Sequence, residues 1–261
     1  KDWRVGVYFN IAHNENKITE MPDNYIEENY TFGNGNYAYR REEGRPMGSF
    51  YGYRYKGVYQ NKDATYARDI EGNVMKDISG NAIVMRNGSY TVAPGDAIYE
   101  DVNHDGVINQ YDIVYLGNSN PRLTGGAGLN VSYKQFKLSA IFYGRYGQDV
   151  VNATRLNNES MRGIDNQSTA VLRRWRNEGD QTDIPRALYG EGYNTLGSDR
   201  FVEDASYLRL KSLSFTYRLP KKAIQRWGFN NIDVYVTGYN LFTWTNYTCL
   251  LYTSPSPRDG L

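Results

Sequence analysis

The chain has 261 residues and a formal net charge of +1, with 25 Tyr and 26 Gly beside only 8 Pro, and its mean hydropathy is −0.69. A near-neutral charge gives no field for nucleic acid or for an acidic partner, and no apolar run approaches the roughly 20 residues of a spanning helix. Such a chain suits many strands with one wet face, and a membrane is not thereby excluded, because barrel strands are apolar only at alternate positions.

In chain order, Trp3, Val5, Val7, Phe9 and Ile11 alternate with Arg4, Gly6, Tyr8, Asn10 and Ala12. The length suits a tilted membrane strand of about 9–11 residues. Asn14 to Lys17 is a polar turn. Tyr53, Arg54, Tyr55 and Tyr59 form an aromatic–basic stripe, expected to line a lumen or girdle. Leu129, Val131 and Tyr133 pair with Phe136, Leu138, Ala140 and Phe142 across a short turn at Lys134-Gln135. Residues 146–206 are long, polar and mostly irregular. A short helix capped by Ser168 is expected up to Asn177, with Val171, Leu172 and Trp175 on one side. Trp175, among Arg173, Arg174 and Arg176, is expected to anchor this loop.

Leu213, Phe215, Tyr217 and Leu219 alternate with polar residues, while Leu208 and Leu210 fall on the opposite parity. A bulge near Lys211-Ser212 would reconcile the two. Pro220 to Gly228 reads as a short helical connection. Ile232, Val234 and Val236 open a last strand that ends in Leu241-Phe242-Thr243-Trp244, with Val234 expected near mid-strand on the apolar face. No repeat is expected beyond the hairpin rhythm.

Asp101-Val102-Asn103-His104-Asp105-Gly106-Val107-Ile108-Asn109-Gln110-Tyr111-Asp112 has the ligand spacing of a calcium loop. Asp101, Asn103 and Asp105 place side-chain oxygens at positions 1, 3 and 5, and Gly106 permits the turn. Val107 offers its carbonyl, Asn109 stands at position 9 and Asp112 closes the loop. The run Ile113 to Leu116, ending in Gly117 and then Pro121, predicts a strand and turn instead of an EF-hand exit helix. The expected role of Ca2+ is structural, with no catalytic residue beside it.

His13 and His104 are lone histidines. Glu42-Glu43 and Glu203-Asp204 are sequence neighbours, which point to opposite faces of a strand and cannot converge as an acid–base pair. There is no nucleophile motif and no phosphate loop, so no enzyme is expected.

Residues 249–261, from Cys249 through Ser254-Pro255-Ser256-Pro257, break with what precedes them and match a translated sequencing adapter. They are set aside as non-native, and with them goes the one Cys. Residues 1–248 are then taken as one incomplete part of a longer protein.

Four blocks, in order, carry a family likeness. Gly44-Arg45-Pro46-Met47-Gly48-Ser49-Phe50-Tyr51-Gly52-Tyr53 is the first. Gly95-Asp96 through Asp112 to Gly117-Asn118-Ser119-Asn120-Pro121 is the second. Ser198-Asp199-Arg200-Phe201-Val202-Glu203-Asp204 through Lys211 is the third. Gly238-Tyr239-Asn240-Leu241-Phe242-Thr243-Trp244-Thr245-Asn246-Tyr247 is the fourth. Together they resemble the C-terminal part of SusC/RagA-type TonB-linked outer-membrane transporters of Bacteroidetes. His104 departs from the family's usual Gly, Asn109 from its frequent Asp, and Asp112 is shorter than Glu.

The resemblance implies an all-β fold: antiparallel strands of a transmembrane barrel of about 22 strands, with long extracellular loops and a plug supplied by residues outside this stretch. It implies residence in the cell outer membrane and import of oligosaccharide or peptide. A SusD-like surface lipoprotein would act as lid, and the TonB complex would act through the plug. The competing reading is a secreted calcium-dependent adhesin or carbohydrate-binding β-domain, which would bury its apolar faces against each other in water.

Overall fold

A computed structural model describes residues 2–22, 30–32, 35–39 and 41–248; the adapter-like segment 249–261 lies outside the described residues. The described residues form two compact units, one from 2–15, 120–149 and 204–248, the other from within 16–119 and 150–203.

The first unit is a five-stranded antiparallel sheet: β1 (Trp3–His13), β2 (Leu123–Tyr133), β3 (Phe136–Tyr146), β4 (Tyr207–Arg218) and β5 (Asp233–Thr245), hydrogen-bonded in that order. Its strands run 11 to 13 residues, the reach of a tilted strand through a bilayer. The expected two-residue turn joins β2 to β3. Lys134 takes φ +50° there and donates its N–H to the Asp2 carbonyl at 3.1 Å.

Register turns each strand's alternation into two continuous surfaces. Val7, Leu129, Ala140, Leu213 and Gly238 form one cross-strand row, and Phe9, Ala127, Phe142, Leu210 and Phe242 form another. This apolar face is open: Val5 is 63%, Phe9 75% and Val236 73% exposed. On the opposite face Asn130, Ser139, Ser214 and Thr237 share a row. There Ser139 Oγ donates to Asn130 Oδ1 at 2.6 Å, and Ser214 and Thr237 share a hydrogen bond of 2.8 Å.

The bulge stands where parity requires it. Against β3, Ile141 pairs with Ser212 and Phe142 with Leu210, so Lys211 is an extra residue on β4; against β4, strand β5 carries an extra residue of its own, Asn240 and Leu241 standing opposite Lys211, with Asn240 at φ +52°. One extra residue on β4 returns Leu208 and Leu210 to the face of Leu213, Phe215 and Tyr217.

Aromatics gather at the short-turn end of the apolar face. Trp3 stacks on Tyr133 at 4.3 Å between ring centroids, Phe136 on Tyr217 at 4.9 Å and on Phe215 at 5.8 Å. Val234 is the second residue of β5 and pairs with Tyr217. It therefore sits in this girdle and not near mid-strand as expected, because β5 begins only after the Lys221–Ile224 helix and the Gln225–Trp227 turn, which stops at the left-handed Gly228.

The second unit is built from short pieces. Tyr30–Phe32, Gly35–Tyr39, Ser49–Gly52 and Val114–Asn118 make a four-stranded sheet, and Tyr55–Val58 pairs with Ala97–Tyr99. Its core holds Tyr53, Tyr59, Met85, Val92, Tyr99, Ile108, Tyr193 and Leu196. The stripe of residues 53–59 is thus no lumen or girdle lining. Tyr53 and Tyr59 are core residues, and Arg54 turns outward to Glu100 at 3.1 Å.

The expected helix after Ser168 is a single 3-10 stretch, Thr169–Arg173, with the Ser168 side chain accepting from the Ala170 N–H. Val171 is buried but Leu172 is exposed, since three residues per turn do not keep both on one side. Trp175 does anchor the segment. It lies so close over Gly95 that a Cβ there would meet its ring at 2.3 Å.

A repeat is present after all. Asp69-Ile70-Glu71-Gly72-Asn73 and Asp77-Ile78-Ser79-Gly80-Asn81 form the same turn twice, each aspartate Oδ1 accepting two backbone N–H groups and each glycine near φ +85°. The bonds Met75 N–H to Ala67 O, Ile83 N–H to Met75 O and Ala67 N–H to Ile83 O close the segment on itself.

Candidate functional site

The calcium-like loop belongs to the second unit, and its six named residues share one tight turn. Asp101 accepts the N–H of Asp105 at 3.2 Å and of Gly106 at 2.8 Å, and Asp105 accepts that of Val107 at 2.8 Å. Asn103 Oδ1 takes the Asp105 N–H at 3.2 Å, and its amide donates to Asp105 Oδ2 at 2.9 Å. Asn109 Nδ2 donates to the Val107 carbonyl at 3.1 Å. Gly106 sits at φ +79° and His104 at φ +56°. At His104 a residue with a Cβ therefore holds a left-handed position where a glycine would be free of strain.

Asp112 is placed differently from the other carboxylates. It is fully buried, with one oxygen on the Val102 N–H and the other on the Asn109 N–H, each at 2.8 Å. It closes a capping box with Asn109 at the Gln110–Asp112 turn and so ties the two ends of the loop together. Burial pushes its carboxyl above the usual carboxylate range against those two N–H bonds, and the charges of Asp101 and Asp105 push the same way.

The donor set is all oxygen, the kind a calcium ion takes. Among the described residues, no three His, Cys, Asp or Glu side chains converge as a metal cluster. As expected, the chain leaves the loop as the strand Val114–Asn118. Ile108 locks the loop to the core at 0% exposure.

Two buried polar networks escaped the sequence reading. The Asp96 carboxylate accepts from Arg186 Nε at 2.7 Å, Tyr90 Oη at 2.6 Å, the Ala93 N–H at 2.8 Å and Asn194 Nδ2 at 3.2 Å. Glu159 binds Arg155 Nε at 2.9 Å and Arg200 Nη2 at 2.8 Å, and Arg155 reaches on to Glu203 at 3.3 Å. Gly95-Asp96 and the 198–204 block were visible as motifs. Tyr90 and Ala93 are near neighbours of Asp96, but the pairings of Asp96 with Arg186 and Asn194, of Arg200 with Glu159 and of Glu203 with Arg155 span 41 to 98 residues, which no local pattern reveals. His13 serves the backbone, its Nδ1 lying 2.8 Å from the Arg122 carbonyl.

Among the described residues no helix is long and apolar enough to cross a membrane, which bears only on helical spans. The long antiparallel strands, with one apolar and one polar face and an aromatic end, define the class: wall of a transmembrane β-barrel.

Comparison with known proteins agrees with this class. No family model matches. The chain is 32% identical over 254 residues to TonB-dependent receptor P3 of Formosa agariphila, covering 95% of this chain and 23% of that receptor. TonB-dependent receptor P26 of the same organism is 29% identical, over 91% of the chain and 22% of the relative. Among solved structures, the RagAB peptide transporter superposes with a TM-score of 0.66 at 25% identity, over 95% of this chain and 24% of its own. The chain thus spans about a quarter of the length of the relatives it matches. Over nearly its whole length the chain is similar to a segment of these TonB-dependent receptors and of the RagAB peptide transporter. Its relatives are named as receptors and transporters, not enzymes.

Proposed function

We propose that the chain forms part of the barrel wall, with its extracellular loops, of an outer-membrane importer for oligosaccharides or peptides. The observation that carries this is the two-faced five-stranded sheet. Its apolar face is exposed across all five strands, and in water that surface would cost about 25 cal/mol per Å². Its opposite face is hydroxyl- and amide-rich, as a polar lumen requires. A SusD-like lipoprotein would close the substrate site from outside, and the TonB complex would act on a plug carried elsewhere in the full-length protein.

Within this reading, Asp101, Asn103, Asp105, Asn109 and the Val107 carbonyl would hold a Ca2+ ion that draws like charges together and stiffens the loop. Asp112 would tie the loop ends from behind.

Cells producing the full-length protein test the importer. It should fractionate with the outer membrane, resist extraction without detergent, and support nutrient uptake that stops when TonB is deleted. Release without detergent, together with calcium-dependent glycan binding, would replace the importer by a secreted adhesin. For the loop, Asp105→Ala should abolish any rise in melting temperature on adding calcium to the full-length protein; a parent with no calcium dependence removes the ion.

A further inference from the structure

The charges of the sheet lie almost entirely on its polar face and are of one sign. Register places Arg4, Lys137, Arg145, Arg209 and Arg218 there with a single carboxylate, Asp233. Asp233 is already used, since both its oxygens bind Arg218 at 2.8 and 2.9 Å.

At the long-loop end, two of the cations are interleaved with two tyrosines. Arg145 pairs across the β3–β4 ladder with Tyr207, and Tyr143 pairs with Arg209. The Arg145 guanidinium lies 6.0 Å from the Tyr143 ring, and the Arg209 guanidinium 5.2 Å from the Tyr207 ring. The two rings are 6.2 Å apart. Each guanidinium is aimed by one bond from its Nε, to Tyr143 Oη at 3.1 Å and to Thr243 Oγ1 at 3.0 Å. No terminal nitrogen of either is bonded to a described residue, and neither meets a carboxylate among the described residues.

Arg145 and Arg209 are diagonal neighbours across the β3–β4 ladder, positions whose backbones stand about 7–8 Å apart, and two cations on one face at such positions repel one another unless an anion lies between them. Guanidinium forks on aromatic faces present planar, bidentate donors. We propose that Arg145, Arg209, Tyr143 and Tyr207 form a subsite for a carboxylate-bearing substrate, either an acidic sugar unit or a peptide carboxylate. The carboxylate bridges the two forks and the tyrosine faces hold the adjoining ring or chain. This rests on the importer reading, which puts the polar face on the transport path.

The test uses cells producing the full-length protein, supplied with a defined mixture. The mixture contains oligogalacturonates, their neutral methyl esters, and peptides with free or amidated carboxyl groups. Depletion is followed by mass spectrometry in strains with and without TonB. The expected result is TonB-dependent depletion biased at least tenfold toward the carboxylate member of one pair, with the pair showing the bias naming the source. In Arg145→Gln/Arg209→Gln the bias should disappear while the neutral member is taken up as before. The Lys double variant should keep part of it.

Depletion by the parent that ignores charge overturns the subsite and leaves the importer standing. A bias unchanged in the double Gln variant does the same. No TonB-dependent depletion of any component overturns both. The heat-modifiable barrel recovered from the outer membrane is measured for every variant. If the Gln pair fails to assemble, the single variant Arg145→Gln, at an exposed residue, is read instead, with the same two outcomes.

Discussion

Tyr8 lies across Gly128, its partner in the β1–β2 ladder, so closely that a Cβ at position 128 would stand 2.1 Å from the Tyr8 ring. The glycine is a socket for the tyrosine on the polar face of the sheet. The ring in turn covers a stretch of backbone that has no side chain of its own.

Gly128→Ala should therefore displace the Tyr8 ring, whose half-exposed far end is free to swing aside, and weaken the β1–β2 pairing by no more than about 1 kcal/mol. Tyr8→Ala alone exposes the socket. The double variant should be more stable than the sum of the two single losses predicts. Urea unfolding of the full-length protein in lipid measures the cycle; strict additivity would mean that the ring does not depend on the socket.

Depth in the membrane gives a second expectation. Val7 belongs to the middle row of the apolar face, with Leu129, Ala140 and Leu213, whereas Val234 belongs to the aromatic girdle. Val7→Arg should cost ~2–4 kcal/mol and Val234→Arg only ~0–1 kcal/mol, as expected for midplane and interface positions. Equal effects on barrel assembly would show that the face does not span a hydrocarbon layer.

The Asp96 network gives a third. Asp96→Ala leaves Arg186, Tyr90 and Asn194 without their shared acceptor. Breaking one partner of a buried pair costs about 3–5 kcal/mol. Hydrogen exchange should quicken around residues 90–97 and 186–196 while the strands of the five-stranded sheet stay protected. Unchanged exchange in those segments would mean that the network contributes nothing to the second unit's stability.

A fourth concerns alkaline pH. Burial pushes the phenols of Tyr53 and Tyr59 up to about 12, and burial together with the Asp96 bond does the same for Tyr90, from an ordinary value of 10. The folded state thus prefers the neutral phenol. The stability this provides is complete below about pH 10 and is lost as pH rises from 10 to about 12. Phenolate absorbance should lag behind that of exposed tyrosines through this window and then rise as the second unit opens. Titration of all tyrosines near 10 would contradict the burial.

Period-two alternation was enough to place β1, β3, β4 and β5 and to assign their faces, because an apolar surface repeated at every second residue has no other regular solution. The parity break at Leu210 located the bulge for the same reason. The loop from Asp101 to Asp112 and the strand that follows it were also legible, since the bonds that shape the loop fall within twelve consecutive residues. By contrast, the Asp69 and Asp77 turns carry no apolar rhythm that would mark them, and the stripe of residues 53–59 is expected to line a lumen or girdle although Tyr53 and Tyr59 belong to the core.

What the sequence alone determined were local matters: strand period, turn chemistry, loop spacing and, through four ordered blocks, family likeness. Only the tertiary structure decided that Tyr8 lies against Gly128, that Asp96 holds Arg186, that Asp112 ties its loop from behind, and that Arg145 and Arg209 share one face with no carboxylate of the described residues between them. Each of these relations joins residues set side by side by sheet register or loop closure, and a Coulombic or steric contact depends on distance in space, which separation along the chain does not encode.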